Sequence, residues 1–445
     1  MSSSAAVSSD LAVGSEADRR RSVPWGWVIF LLAAAAGLFM AFVVFRVQSF
    51  VDANTDPYQF GAMGRSVARG DWFEGFGSLI TRRAPLYPLV LGGIFFLVGD
   101  HDRLVFVFHT LLFAGTCVLV FDMGRRLFNR RTGIIAGVIC ALDPMLLRYI
   151  PSLHLETQLT FLFTVMLWAM VRFYEQPSLR RGAQVGFVAG LASLTKAVVF
   201  PYPFLFAIGV LLACRAARRR GEARPTPWRP IVAMLVVLAV TIAPWTIRNY
   251  RSSGHFVLIS SGTSDAFLRG FIFTETPYIT LRKPPYTDAE NASNAYFKTV
   301  AAAAGATWGA DDYQTDQILN EVAKQRLIHE PGAVVKKTVI GLFTFWYELT
   351  TLKNSILALV LAVAGWILAS IGWRRAHRER RPSWLLILPI LYLNVSLALL
   401  LALGRYSVPI LPALIVLAAF GVDTLLHRRA GDPVPDLSVA RAVPA

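Results

Sequence analysis

The feature that most constrains this chain is a succession of apolar runs, most of them close to the length that crosses hydrocarbon, separated by short clusters of arginine. Backbone groups in lipid have no water to satisfy them, so runs of about 20 apolar residues cross a bilayer as helices. With 55% hydrophobic and 16% charged residues in a chain of 445, the sequence reads as an all-α multi-spanning membrane protein. The formal net charge of +16 falls in the clusters between runs. That is how cytoplasmic loops orient a membrane protein, not how a soluble face binds nucleic acid, so nucleic acid is excluded as a partner. Cys117, Cys140 and Cys214 lie inside apolar runs without ligand spacing, which points to packing and not to disulfides or zinc.

The positive-inside rule sets the topology. Residues 1–22 are rich in Ser and Ala and end in Arg19-Arg20-Arg21, a disordered cytoplasmic tail. Residues 25–47 form the first span. The apolar run at 84–99 is short for a span and opens with Pro85 and Pro88. If it crossed, Arg125-Arg126, Arg130-Arg131, Arg180-Arg181 and the cluster at 215–220 would all face outside; lying in the outer interface, it leaves them in the cytoplasm. Nine further spans then follow at 104–123, 132–150, 156–174, 182–194, 200–214, 231–247, 355–373, 384–403 and 406–426.

The chain divides into a transmembrane core at 23–250 with an outer loop at 48–103, an extracytoplasmic region at 251–336, a C-terminal part at 337–427 and a cytoplasmic tail at 428–445. The region at 251–336 shows a strand-like start at 255–260, a turn at Ser261-Gly262-Thr263 and helical patterns at 289–304 and 311–329. The aromatic-rich stretch 337–350 is expected at the interface.

This topology gathers polar residues on one side. Asp52, Asp56, Glu74, Arg82 and Arg83 belong to the first outer loop, Arg148, His154 and Glu156 to the second, and Lys196, Arg248 with Asn249, and Arg405 with Tyr406 to later ones. Acids and cations beside a bilayer surface suit a reaction on a lipid-linked phosphate; the plainer account is solvated loop charges and snorkelling anchors. Arg405, the one charge between two apolar spans, favours function, and Arg148 favours an anchor. A transporter or flippase of lipid-linked glycans is the rival reading. It calls for ionisable groups near midspan; only Asp143, near the middle of its span, and Asp122, near the inner end of its span, stand out, each explicable as a helix cap or an ion pair.

Several short motifs in order resemble the membrane glycosyltransferases of the GT-C fold that use polyprenyl-phosphate sugars, in particular bacterial relatives of the dolichyl-phosphate-mannose protein mannosyltransferases and the lipid A aminoarabinose transferase. They are Asp56-Pro57-Tyr58 with Ala68-Arg69-Gly70, Arg83-Ala84-Pro85-Leu86-Tyr87-Pro88, Glu156, Leu194-Thr195-Lys196, Pro244-Trp245-Thr246-Ile247-Arg248-Asn249-Tyr250 and Arg405-Tyr406-Ser407-Val408-Pro409. The resemblance implies a GT-C-like bundle of about ten transmembrane helices with interfacial helices in the first outer loop. It also implies an inverting transfer of a sugar from a polyprenyl-phosphate donor to a lipid, glycan or protein of the cell envelope, on the outer face of the cytoplasmic membrane. Asp56 matches the family's general base, with Asp52 as the alternative, and Glu156 matches an acid that holds a metal or orients the acceptor. Here Asp56 is followed by Pro57 where the family often has a second acid. Arg83, Lys196, Arg248 and Arg405 are the candidates for the donor phosphate, since a departing phosphate needs cations and arginine can bond two of its oxygens. Tyr58, Tyr87, His154, Asn249 and Tyr406 are expected to line the substrate. A divalent cation is the one cofactor the family leaves open, and no ligand cluster in the sequence demands it.

Overall fold

The computed structural model describes residues 23–44, 56–71, 81–222, 225–275, 285–308, 312–349 and 351–429. Asp52, Glu74 and most of both expected tails lie outside these residues. In chain order the helices are α1 (Trp25–Phe39), α2 (Asp56–Ala68), α3 (Leu86–Val98), α4 (Asp102–Leu127), α5 (Arg130–Leu142), the short α6 (Pro144–Leu147), α7 (Glu156–Glu175), α8 (Leu179–Thr195) and α9 (Tyr202–Arg219). They continue as α10 (Trp228–Ser253), α11 (Thr263–Glu275), α12 (Pro285–Ala303), α13 (Asp312–His329), α14 (Pro331–Thr344), α15 (Leu352–Arg378), α16 (Trp384–Leu399) and α17 (Leu411–Arg429).

Among the described residues six segments, built on α1, α4, α9, α10, α15 and α17, are long and apolar enough to cross a membrane. The other four expected spans are also helices, α5, α7, α8 and α16, but shorter or more polar. α3 is apolar but has 13 residues, about 20 Å of helix against about 30 Å of hydrocarbon. It packs along α2, where Gly64 and Gly92 let the two backbones approach: a Cβ on Gly92 would lie 2.4 Å from Val67 Cγ1.

Small residues set the bundle's geometry. Gly182, Gly186 and Gly190 of α8 form one stripe against α10, and a Cβ at Gly186 would sit 2.1 Å from the Met234 carbonyl oxygen. Lipid offers no hydrophobic drive between helices, so close backbone approach of this kind is what holds them. Gly372 of α15 and Gly421 of α17 do the same. α17 runs through the centre, buried over nearly its whole length, and contacts α4, α5, α15 and α16.

Three details depart from expectation. The run at 132–150 is not one helix, because α5 stops at Leu142 and Asp143 caps α6, accepting from Met145 N at 2.9 Å and Leu146 N at 3.0 Å. The stretch 255–260 is bent, irregular chain and no strand; side chains of α10 take up its carbonyls: Trp245 Nε1 donates to the Ile259 carbonyl at 2.8 Å, Thr246 Oγ1 to Leu258 at 2.7 Å, and Asn249 Nδ2 to Val257 and Ile259 at 3.0 and 3.1 Å. An additional helix, α11, follows the turn at Gly262. Its Phe267, Leu268 and Phe271 form a small separate core with Phe297, Leu319 and Val334 of α12, α13 and α14.

Candidate active site

Four separate elements bring one charged side chain each to the same end of the bundle. Asp56 opens α2, where Pro57 pre-sets the first turn and the helix dipole favours a carboxylate. Arg83 precedes α3, and Glu156 stands in the first turn of α7. Arg405 lies in a 3-10 turn, Gly404–Ile410, that leads into α17. That turn is pinned at Gly404, whose N–H donates to the Glu348 carbonyl at 2.7 Å and where a Cβ would meet the same oxygen at 2.6 Å.

Asp56 is gripped at both oxygens. Oδ1 lies 2.6 Å from Arg83 Nη2 and Oδ2 lies 2.6 Å from Arg405 Nη2. Arg405 Nε is 3.8 Å from Glu156 Oε1, and Glu156 Oε2 is buried without a hydrogen-bond partner. The side chains are 20% exposed for Asp56, 29% for Arg83, 16% for Arg405 and 4% for Glu156, so these pairs sit where solvent screens them far less than at a surface. Burial alone would raise the Asp56 carboxyl; Arg83 and then Arg405 outweigh it and hold the group well below the usual carboxylate range.

Lys196 follows α8 in extended conformation, ahead of the 3-10 turn Ala197–Val199, and sets its ammonium 3.5 Å from the centre of the Tyr406 ring. Burial pushes it down to about 7, with Glu156 opposing the fall and Arg405 adding to it. Burial likewise lowers His154, which contacts Ser152 Oγ and feels the charges of Glu156, Arg405 and Asp56. Tyr406 completes the group by accepting a hydrogen bond from Arg405 Nη2 at 3.2 Å.

Residues 82–246 match the family model of dolichyl-phosphate-mannose-protein mannosyltransferases. Among solved structures, the archaeal oligosaccharyltransferase AglB from Archaeoglobus fulgidus, in complex with an inhibitory peptide and a dolichol-phosphate, matches 95% of this chain at a TM-score of 0.56 and 14% identity. The chain has the GT-C fold. It spans only about half of that relative, 52% of its length. The Archaeoglobus enzyme in complex with Zn and sulfate matches 91% of this chain and 50% of its own, at a TM-score of 0.55 and 15% identity. ArnT from Cupriavidus metallidurans bound to undecaprenyl phosphate matches 93% of this chain and 82% of its own at 18% identity, with a TM-score of 0.40 too low to carry an inference. No curated protein sequence matches the chain significantly.

Within this GT-C bundle the expected site residues separate into two groups. Asp56, Glu156, Arg83, Arg405, Lys196, His154 and Tyr406 form one electrostatically connected cluster. Tyr87 is fully buried, lies edge-on to Phe60, and its hydroxyl is 3.4 Å from His109 Nε2. His109 Nδ1 faces the Ile150 carbonyl at 3.1 Å and must donate to it, which leaves Nε2 to accept from Tyr87. Asn249 is also fully buried; its Nδ2 donates to the backbone at 257 and 259, and its Oδ1 accepts from Arg248 Nη1 at 3.3 Å. Arg248 stacks over Trp245 at 4.6 Å, and among the described residues no ion pair joins it to Asp56 or Glu156. Tyr58 is exposed on α2.

Gln59 was missed, although its Oε1 accepts from Arg83 Nη2 at 2.6 Å. The available signal was its position three residues after Asp56, on the same face of a helix. Asp122, near the inner end of its span, pairs with Arg125 and Arg126 and accepts from Trp168 Nε1 at 2.9 Å.

Among the described residues no three His, Cys, Asp or Glu side chains converge as a metal-sized group. Both Asp56 oxygens are held by guanidinium groups and Glu156 Oε1 faces Arg405. Among the described residues, a divalent cation at Asp56 would have to take the place of these guanidinium groups.

Proposed function

We propose that this protein is an inverting glycosyltransferase that moves one sugar from a polyprenyl-phosphate donor to a hydroxyl acceptor of the cell envelope, at the outer face of the cytoplasmic membrane. The observation that carries this reading is the carboxylate of Asp56 set between two arginines from different elements, on a GT-C fold and at the end of the bundle opposite the Arg125-Arg126 and Arg130-Arg131 clusters.

In this mechanism the acceptor oxygen attacks the anomeric carbon from the face opposite the phosphate. The new carbon–oxygen bond forms as the bond to the phosphate oxygen breaks, inverting the configuration. The acceptor's proton passes to Asp56, and the electron pair of the broken bond leaves with the polyprenyl phosphate. Arg83 and Arg405 hold the phosphate as its charge develops, each offering a planar fork of donors. Lys196, with an ammonium near neutrality, adds a third cation that an arriving phosphate would keep protonated. The unpartnered Glu156 Oε2 is placed to accept from a hydroxyl of the sugar or the acceptor.

The test is transfer by the purified protein in lipid from a polyprenyl-phosphate sugar pool extracted from the native membrane. Release of polyprenyl phosphate with an inverted product supports the reading. Movement of the intact lipid-linked sugar across the bilayer without bond cleavage would replace it with a flippase.

A further inference from the structure

Asp56 is engaged on both sides. A carboxylate with each oxygen 2.6 Å from a guanidinium nitrogen is a weak proton acceptor, because the cations stabilise the charge that a proton would remove. The same two guanidinium groups are the strongest anion binders in the site, and both keep other contacts that do not involve Asp56. Arg83 holds Gln59 Oε1 at 2.6 Å and lies over Phe60 at 5.2 Å; Arg405 holds the Tyr406 hydroxyl at 3.2 Å and lies near Glu156. They would therefore stay in place if the carboxylate turned away, a motion that one side-chain rotamer change supplies.

We propose that Asp56 is the internal occupant of the donor-phosphate site: its carboxylate holds Arg83 and Arg405 in the free protein, and a polyprenyl phosphate displaces it from them on binding. This rests on the donor reading above. A phosphate monoester or diester presents several oxygens and at least as much charge as a carboxylate, so it can bridge both forks. It cannot share them fully with Asp56, because two anions on the same nitrogens repel. Once displaced, the carboxylate faces cations already neutralised by phosphate, and its basicity rises. The base is thus released only when the donor is in place, which ties proton abstraction to donor binding.

The probe is farnesyl phosphate, with uncharged farnesol as its control, titrated against the full-length protein in lipid nanodiscs. Wild type should bind farnesyl phosphate and not farnesol. Asp56→Asn should bind it at least about tenfold more tightly, since a charge-assisted contact no longer has to be broken, even though the same variant is impaired in transfer. Glu156→Gln removes a charge without freeing the two nitrogens and should change affinity much less. Equal tightening in both variants would mean a general charge effect and would overturn the proposal, as would unchanged affinity in Asp56→Asn. Failure of wild type to prefer farnesyl phosphate over farnesol would instead defeat the donor reading itself. Difference infrared spectra of folded wild type provide a readout that does not depend on any variant folding. Farnesyl phosphate should shift a carboxylate stretch and farnesol should not; no carboxylate shift despite phosphate binding refutes displacement.

Discussion

Replacing Asp56 by Asn keeps the side chain's size and removes the proton acceptor. One amide oxygen can still accept from one arginine, while the amide nitrogen faces the other as donor against donor. The structural loss is thus about one charge-assisted contact, on the order of 1.5–3 kcal/mol. It is cushioned because Arg83 retains Gln59 and Arg405 retains Tyr406. The catalytic loss should be larger, about 10²–10⁴-fold in turnover, equivalent to about 3–5 kcal/mol in the barrier. The assay is sugar transfer per folded molecule, normalised by size-exclusion and thermal unfolding, with Asp52→Asn and Glu156→Gln measured alongside. The Asp56 carboxyl is depressed by its arginines, so its stabilising effect is present above the ordinary carboxylate pKa of about 3.9 and fades as pH falls through the lower folded value. Wild type and Asp56→Asn should therefore converge in stability only in strong acid. Near-normal transfer by Asp56→Asn with Asp52→Asn inactive would move the base to Asp52, and normal transfer by both would refute the mechanism.

Lys196→Met should flatten part of the pH dependence of stability. The folded ammonium titrates at about 7 and the unfolded one at about 10.4, so the unfolded chain binds more protons between these values and wild-type stability rises with pH across that window; a wild-type curve no steeper there than the variant's would contradict the burial of Lys196. Gly186→Val should loosen α8 from α10, because even its Cβ would fall 2.1 Å from the Met234 carbonyl oxygen; overpacking of this kind costs about 1–3 kcal/mol, and an unchanged unfolding temperature in detergent would show that the stripe does not hold the pair. In intact cells, His101→Cys should react with a membrane-impermeant thiol reagent and Arg130→Cys should not, since both positions are exposed and lie at opposite ends of α4 and α5. The reverse pattern would invert the topology.

What could be read in the sequence follows from interactions that act along the chain. Apolar run length announces a helix in lipid because the backbone must satisfy itself there, and the Arg125-Arg126 and Arg130-Arg131 clusters orient the runs whatever the packing. Pro57 behind Asp56 and Pro331 behind Glu330 mark helix starts through fixed backbone angles. The meeting of Asp56 with Arg83 and Arg405 is another matter, because Arg405 is remote in sequence and reaches Asp56 only through the central path of α17 and the pin at Gly404. Tyr87 and Asn249 show the same limit from the other side. Both sit in motifs that looked chemical, yet packing turned Tyr87 onto His109 and Asn249 onto the backbone at 257 and 259. A residue's type sets which contacts it can make, but which of them it makes depends on the groups that the fold presents to it. In a bundle held by close backbone approach, those groups come from helices far away in sequence.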